Sequence, residues 1–224
     1  MKFDTLKKSI LFTRPNYDDA TSVLHCFAKI VIDELNKVGE YEIIDLEREK
    51  ATRAELEQRT KKKSPRLIIL NGHGYKYAVC GHMGEEILDE NNIDILKSKI
   101  AYAVACDSTE RLGEISISQG EAEAYIGYDA RFMVVTDLTR SAVPSKDKNL
   151  KIFFKPYSAL ILQLVSGSTV KHAVEYTKDL LRSMIREYGV YGIRDKYGSA
   201  PMIRFALYWD LLYLNIHGNS SASV

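Results

Sequence analysis

Cysteine is scarce in this chain. Three thiols among 224 residues, an odd number, supply no disulfide framework to hold a fold. The expectation is a reducing, cytoplasmic setting, in which a catalytic thiol stays usable. Excess charge is missing too: 31 Lys and Arg stand against 30 Asp and Glu, a formal charge of +1. No global field therefore argues for nucleic acid or an anionic membrane as a partner. Lys61-Lys62-Lys63 is the one tight basic run and reads as a solvated stretch before a strand. No uncharged apolar run approaches the roughly 20 residues that a membrane helix needs. Met1-Lys2-Phe3-Asp4 leads into the chain without the apolar core of a secretory signal. Neither the Gly-x-Gly-x-x-Gly nor the Lys-Ser/Thr spacing of a phosphate loop occurs, and no cofactor is expected. No internal repeat or low-complexity segment stands out.

What is present is apolar patterning. At 46% apolar residues, 224 residues bury a sizeable core, most simply as one domain over residues 1–218 with a flexible tail at 219–224. Strands are expected at Ser9–Thr13, Tyr41–Leu46, Leu67–Leu70, Ile100–Val104 and Ala122–Gly127, with Phe132–Val135 extending the last or adding another. A helix capped by Asp18 or Asp19 runs to about Lys37, with Val23, Phe27, Ile30, Val31, Leu35 and Val38 at helical spacing. A polar helix covers Ala51–Lys61, and Tyr75–Lys99 reads as loop with a short hairpin and a short helix near Ile93–Lys97. Thr109–Gln119 reads as helix or loop, and Ser141–Asn149 as a surface loop. Helices follow over Phe153–Leu164 and Thr169–Tyr188, with Gly189, Gly192 and Gly198 breaking the pattern. A last helix then runs from Pro201 to Trp209 and a final strand over Leu211–Ile216. Strands alternating with helices predict an α/β fold, a mostly parallel central sheet of about six strands flanked by helices.

Two short strings close buried strands. Asn71-Gly72-His73-Gly74 follows Leu67–Leu70, and Ala105-Cys106-Asp107-Ser108 follows Ile100–Val104. Parallel strands put their C-terminal ends on one sheet edge, where open α/β sheets carry their sites. Attack on an amide carbonyl needs a nucleophile, a base and donors for the oxyanion. A thiol near its reference pKa of about 8.5 is only a few per cent thiolate at neutral pH. His73 beside Cys106 would take the thiol proton and return it to the leaving amine. The backbone N–H groups of Gly74 and Cys106 are the candidate oxyanion donors, a contribution of about 3 kcal/mol each. Gly72 and Gly74 would permit the sharp turn that lifts the ring from the sheet edge. No third, orienting residue is identifiable, and a backbone carbonyl would hold the ring.

His-Gly after one hydrophobic strand and Ala-Cys after the next, 33 positions on, resembles the signature of the clan CD cysteine peptidases: caspases, legumain, gingipain, separase and the bacterial CHAT-domain peptidases. The CHAT-like and gingipain-like branches look most similar. Glu121–Tyr128 looks like their strand after the nucleophile, Phe154–Glu175 like their small loop before a helix, and Leu211–Gly218 like their closing strand. The resemblance spans roughly residues 9–218, and only the two dyad strings are specific. It implies a caspase-like fold and endopeptidase activity, with His73 as base and Cys106 as nucleophile. It also implies a protein or peptide substrate, and control by an activating partner or self-association. Thr109 stands where relatives often carry Gly. Relatives select the residue before the scissile bond through a charged pocket. Asp107, Glu110, Asp129 and Asp137 are the candidates here, Asp107 foremost, for a pocket preferring Arg or Lys; His82 is a further candidate lining residue.

Plainer readings stand beside these. A cysteine ending a strand is usually core packing, and Cys26 and Cys80 read as structural. Cys80, His82, His73 and Cys106 together would suit zinc, but no C-x₂-C pair supports a metal. Phe205, Tyr208, Trp209 and Tyr213 read as core; exposed, they would mark a partner-binding face. The rival from another class is a non-catalytic caspase-like interaction module in a signalling or defence assembly.

Overall fold

Residues 7–137, 144–189 and 199–224 are described by the computed structural model. Ser9–Arg14 (β1) is buried throughout, as an apolar strand covered on both faces must be. Asp19–Val38 (α1) follows. Asp18 caps it by accepting the Thr21 N–H, and Gly39 ends it in a left-handed turn. Glu42–Glu47 (β2) and Arg53–Lys63 (α2) come next, then Leu67–Asn71 (β3). A small antiparallel sheet of Gly74–Tyr75 (β4), Ala78–Cys80 (β5) and Glu86–Leu88 (β6) fills the stretch expected to be loop and hairpin. A 3₁₀ turn at Ile93–Leu96 leads to Ile100–Val104 (β7). A π-helical turn at Thr109–Gly113 runs into Glu114–Ser118 (α3), and Ala124–Tyr128 (β8) follows. Leu150–Val165 (α4), Val170–Glu187 (α5), Ala200–Tyr213 (α6) and Leu214–Gly218 (β9) complete the chain.

The fold is α/β. Its central sheet has the order β2-β1-β3-β7-β8-β9, parallel except for β9, which runs antiparallel to β8. Period-two alternation divides the strand side chains between two cores. Ile10, Phe12, Ile69, Tyr102 and Ile126 face α1, α4, α5 and α6; Leu11, Ile68, Leu70, Ala101 and Tyr125 face the opposite layer with Leu56 of α2. Among the described residues, no helix is long and apolar enough to cross a membrane.

Four expectations are corrected. Phe132–Val135 forms no strand: Met133 N–H donates to Asp210 and Trp209 Nε1 to the Arg131 carbonyl, so α6 takes its backbone groups. Helix α6 runs to Tyr213, pushing the last strand to Leu214–Gly218. The tail is held, not frayed. Val170 and Lys171 N–H, at the orphan-donor end of α5, bond the Ala222 and Ser220 carbonyls, and Val224 is buried. Phe205 and Tyr208 are about half exposed, and Val38 at the end of α1 is 63% exposed, so these residues are not core. Met1–Asp4, Ser141–Val143, Gly192 and Gly198 lie outside the described residues.

Candidate functional site

Strands β3 and β7 pair in register from Leu67–Ile100 to Asn71–Val104. Two residues further on, His73 and Cys106 leave the same sheet edge at matching positions. The glycines around His73 serve close approach. A Cβ on Gly74 would lie 2.7 Å from Ala105 Cβ and 2.8 Å from the Cys106 carbonyl oxygen, so the chain after His73 rests on the Ala105–Cys106 backbone. A Cβ on Gly72 would lie 2.0 Å from the Cys80 carbonyl oxygen. The turn expected from both glycines is therefore corrected. Only Gly72, at φ 157°, departs from ordinary L-residue backbone, and Gly74 is needed for space.

The loop is anchored from below. Asn71, fully buried, donates through Nδ2 to the Thr13 carbonyl at 2.8 Å and accepts the Tyr157 hydroxyl at 3.1 Å. Its N–H bonds Thr13 Oγ1 at 2.9 Å. Above it, His73 Nε2 lies 2.6 Å from Asp18 Oδ2. The other oxygen of Asp18, Oδ1, accepts the Thr21 N–H at 2.8 Å. One carboxylate thus caps α1 and grips the imidazole. Partial burial works against its charge, but the Thr21 N–H and His73 together hold Asp18 below the usual carboxylate range. The orienting group is therefore a side chain, not the backbone carbonyl expected. The signal lay in topology: β1 neighbours β3, so an acid just past the end of β1 stands beside the end of β3.

Cys106 is a half-buried free thiol. Asp107 after it takes the left-handed region, φ 57°, tolerable for Asp, and its N–H bonds the Ala130 carbonyl at 3.2 Å. The Thr109 methyl packs where Gly127 has no side chain; a Cβ there would lie 3.1 Å away. Burial pushes the Cys106 thiol up. The Phe132 N–H and the Arg131 charge oppose this, while Asp107 and Asp210 add to it. His73 is thus engaged by Asp18 through Nε2.

The other candidates scatter. Glu110 pairs with Lys76 at 2.6 Å. Asp129 accepts Asn215 Nδ2 at 2.9 Å, and the Asp137 N–H bonds Asp147 at 2.7 Å. Of these four acids, only Asp107 acts on the thiol, through its charge. His82 approaches through Tyr17, whose ring centroid is 6.1 Å from that of His73 and 5.9 Å from that of His82. Sequence reasoning did not single out Tyr17. Among the described residues, no three His, Cys, Asp or Glu side chains gather as a metal-binding group.

No family model matches the chain, and no curated protein is similar to it in sequence.

Proposed function

We propose that the protein is a cysteine endopeptidase with His73 as base and Cys106 as nucleophile. The observation that supports this best is the β3–β7 register, with Gly74 laid on the Cys106 backbone. The mixed six-stranded sheet is consistent with a caspase-like fold, and three free thiols suit a reducing cytoplasmic compartment. Asp18 occupies Nε2 of His73, so Nδ1 is the nitrogen left for the thiol. The thiol, kept protonated by burial, passes its proton to His73 as Sγ bonds the carbonyl carbon. The Gly74 and Cys106 N–H groups receive the oxyanion. His73 then protonates the leaving amine, and water hydrolyses the thioester.

Catalysis requires Sγ to meet His73 Nδ1 while Asp18 holds Nε2. That step is where an activating partner or self-association would act. A second reading, a non-catalytic interaction module, draws on the exposed Phe205 and Tyr208 of α6.

The test compares wild type with Cys106→Ala on fluorogenic peptides carrying Arg, Lys, Asp, Asn or Leu before the cleaved bond. Both charge signs belong in the panel because Asp107 and Arg131 both act on the thiol. The expected result is cleavage, after Arg or Lys foremost, that the variant loses. No cleavage by either protein, with Cys106 inert to iodoacetamide, would favour the interaction module.

A further inference from the structure

Neighbouring strand ends give the sheet edge a direction. Reading across it, the β1–α1 loop with Tyr17 and Asp18 comes first, then His73 after β3, Cys106 after β7, and Ala130–Met133 after β8. If Cys106 attacks and His73 protonates the departing amine, the substrate's polarity is fixed. The acyl half stays bonded to the sulfur and lies toward β8. The amine half leaves past the imidazole, toward β1.

On that leaving side stand Tyr17 and His82. Tyr17 lies between the two imidazoles, tilted 59° to His73 and nearly edge-on, 85°, to His82. Its hydroxyl lies beside Gly84, where an added Cβ would come into van der Waals contact with it at 3.9 Å. Gly81 and His82 are pinned in turn, the His82 N–H bonding the Ala51 carbonyl at 2.7 Å. Met83, between His82 and Gly84, is in a left-handed turn, φ 53°, and is 71% exposed. A bulky apolar side chain held in strained backbone and offered to solvent is costly for the fold alone. Anchored rings beside it make a rigid shelf that loses little entropy on binding.

We infer that Tyr17, His82 and Met83 form a subsite for the residue after the scissile bond, selecting polypeptides with an apolar or aromatic side chain there. This rests on the peptidase reading and adds the leaving-side specificity of the same site. It gives His82 a role apart from the pocket for the residue before the bond. Tyr17 and His82 touch substrate, not the reacting atoms, and are specificity residues.

The test uses two substrates with the same acyl half. One ends in a coumarin amide and has no residues beyond the bond. The other continues as peptide, with Leu, Phe or Asp at the first position. For wild type, kcat/KM on the peptide is expected to rank Leu and Phe above Asp. In Tyr17→Ala and His82→Ala, the ratio of peptide to coumarin kcat/KM is expected to fall by about three- to tenfold, the range of one aromatic contact. A ratio that does not move overturns the subsite, because a role limited to holding Asp18 and His73 slows both substrates alike. Wild type that cleaves neither substrate, with Cys106 inert to iodoacetamide, overturns the peptidase reading, and the subsite with it.

Discussion

Two buried ionisable side chains near the edge are handled in opposite ways. Arg14, 1% exposed, is fully engaged: Nε and Nη2 bond Asp45 at 2.8 and 2.6 Å, and Nη1 lies 2.9 Å from His25. Asp210 is 2% exposed and receives only the Met133 N–H on Oδ1; Oδ2 has no partner among the described residues. Burial pushes its carboxyl well above the usual range despite that bond. In the unfolded chain the group ionises near pH 4. Above that pH the folded state holds a proton the unfolded state has lost, so stability falls as pH rises toward the folded pKa. Asp210→Asn keeps the acceptor for Met133 and removes the titration. Urea midpoints at pH 5 and 7.5 should therefore differ less in the variant than in wild type, with the variant the more stable at pH 7.5. Equal differences would mean that Asp210 does not carry this dependence.

At the scale of elements, the strands were legible because each is an apolar run bounded by turn residues. β1, β3, β7 and β8 fall within a residue or two of their expected positions. The fold class followed from their alternation with helices. Phe132–Val135 has strong strand propensity yet forms none, because propensity needs a partner edge and α6 supplies side-chain bonds instead. Of the site, His73 and Cys106 were legible as strand-end residues. Asp18 was legible only as a cap, since its second oxygen acts across 55 residues of sequence. The closeness of Gly74 to Ala105 is likewise a tertiary fact. It yields a prediction: Gly74→Ala should destabilise by about 1–3 kcal/mol through overpacking. Adding Ala105→Gly should recover part of that, the Cys106 carbonyl still opposing the new Cβ. A double-mutant cycle by urea denaturation measures the coupling, and strict additivity would contradict the contact.

Across the whole molecule the two sheet edges divide labour. The edge away from His73 is stapled. Arg66 bonds both oxygens of Glu123, at 2.6 and 2.5 Å, and also the Ser98 and Ser223 carbonyls. The tail carbonyls meet α5 there. The site edge is built of short loops and the small sheet. Deleting residues 220–224 should lower the Tm by about 4–10 °C, through lost burial of Ala222 and Val224 and unpaired α5 donors. Iodoacetamide labelling of Cys106 below the transition should be unchanged, and an unaltered Tm would show that the tail adds nothing to the fold. Self-association through the outer edge of β9 is disfavoured, because Asn215 Oδ1 already takes the Ile216 N–H at 2.8 Å.

The shared carboxylate at Asp18 has an evolutionary reading. On the proposed peptidase reading, a lineage that lost the chemistry would release Cys106 and His73 from selection, but not Asp18, because α1 would still need its cap. Acid at position 18 would then outlive the activity it once served. Positions 73 and 106 would record whether a descendant still works, and position 18 would record only that it still folds.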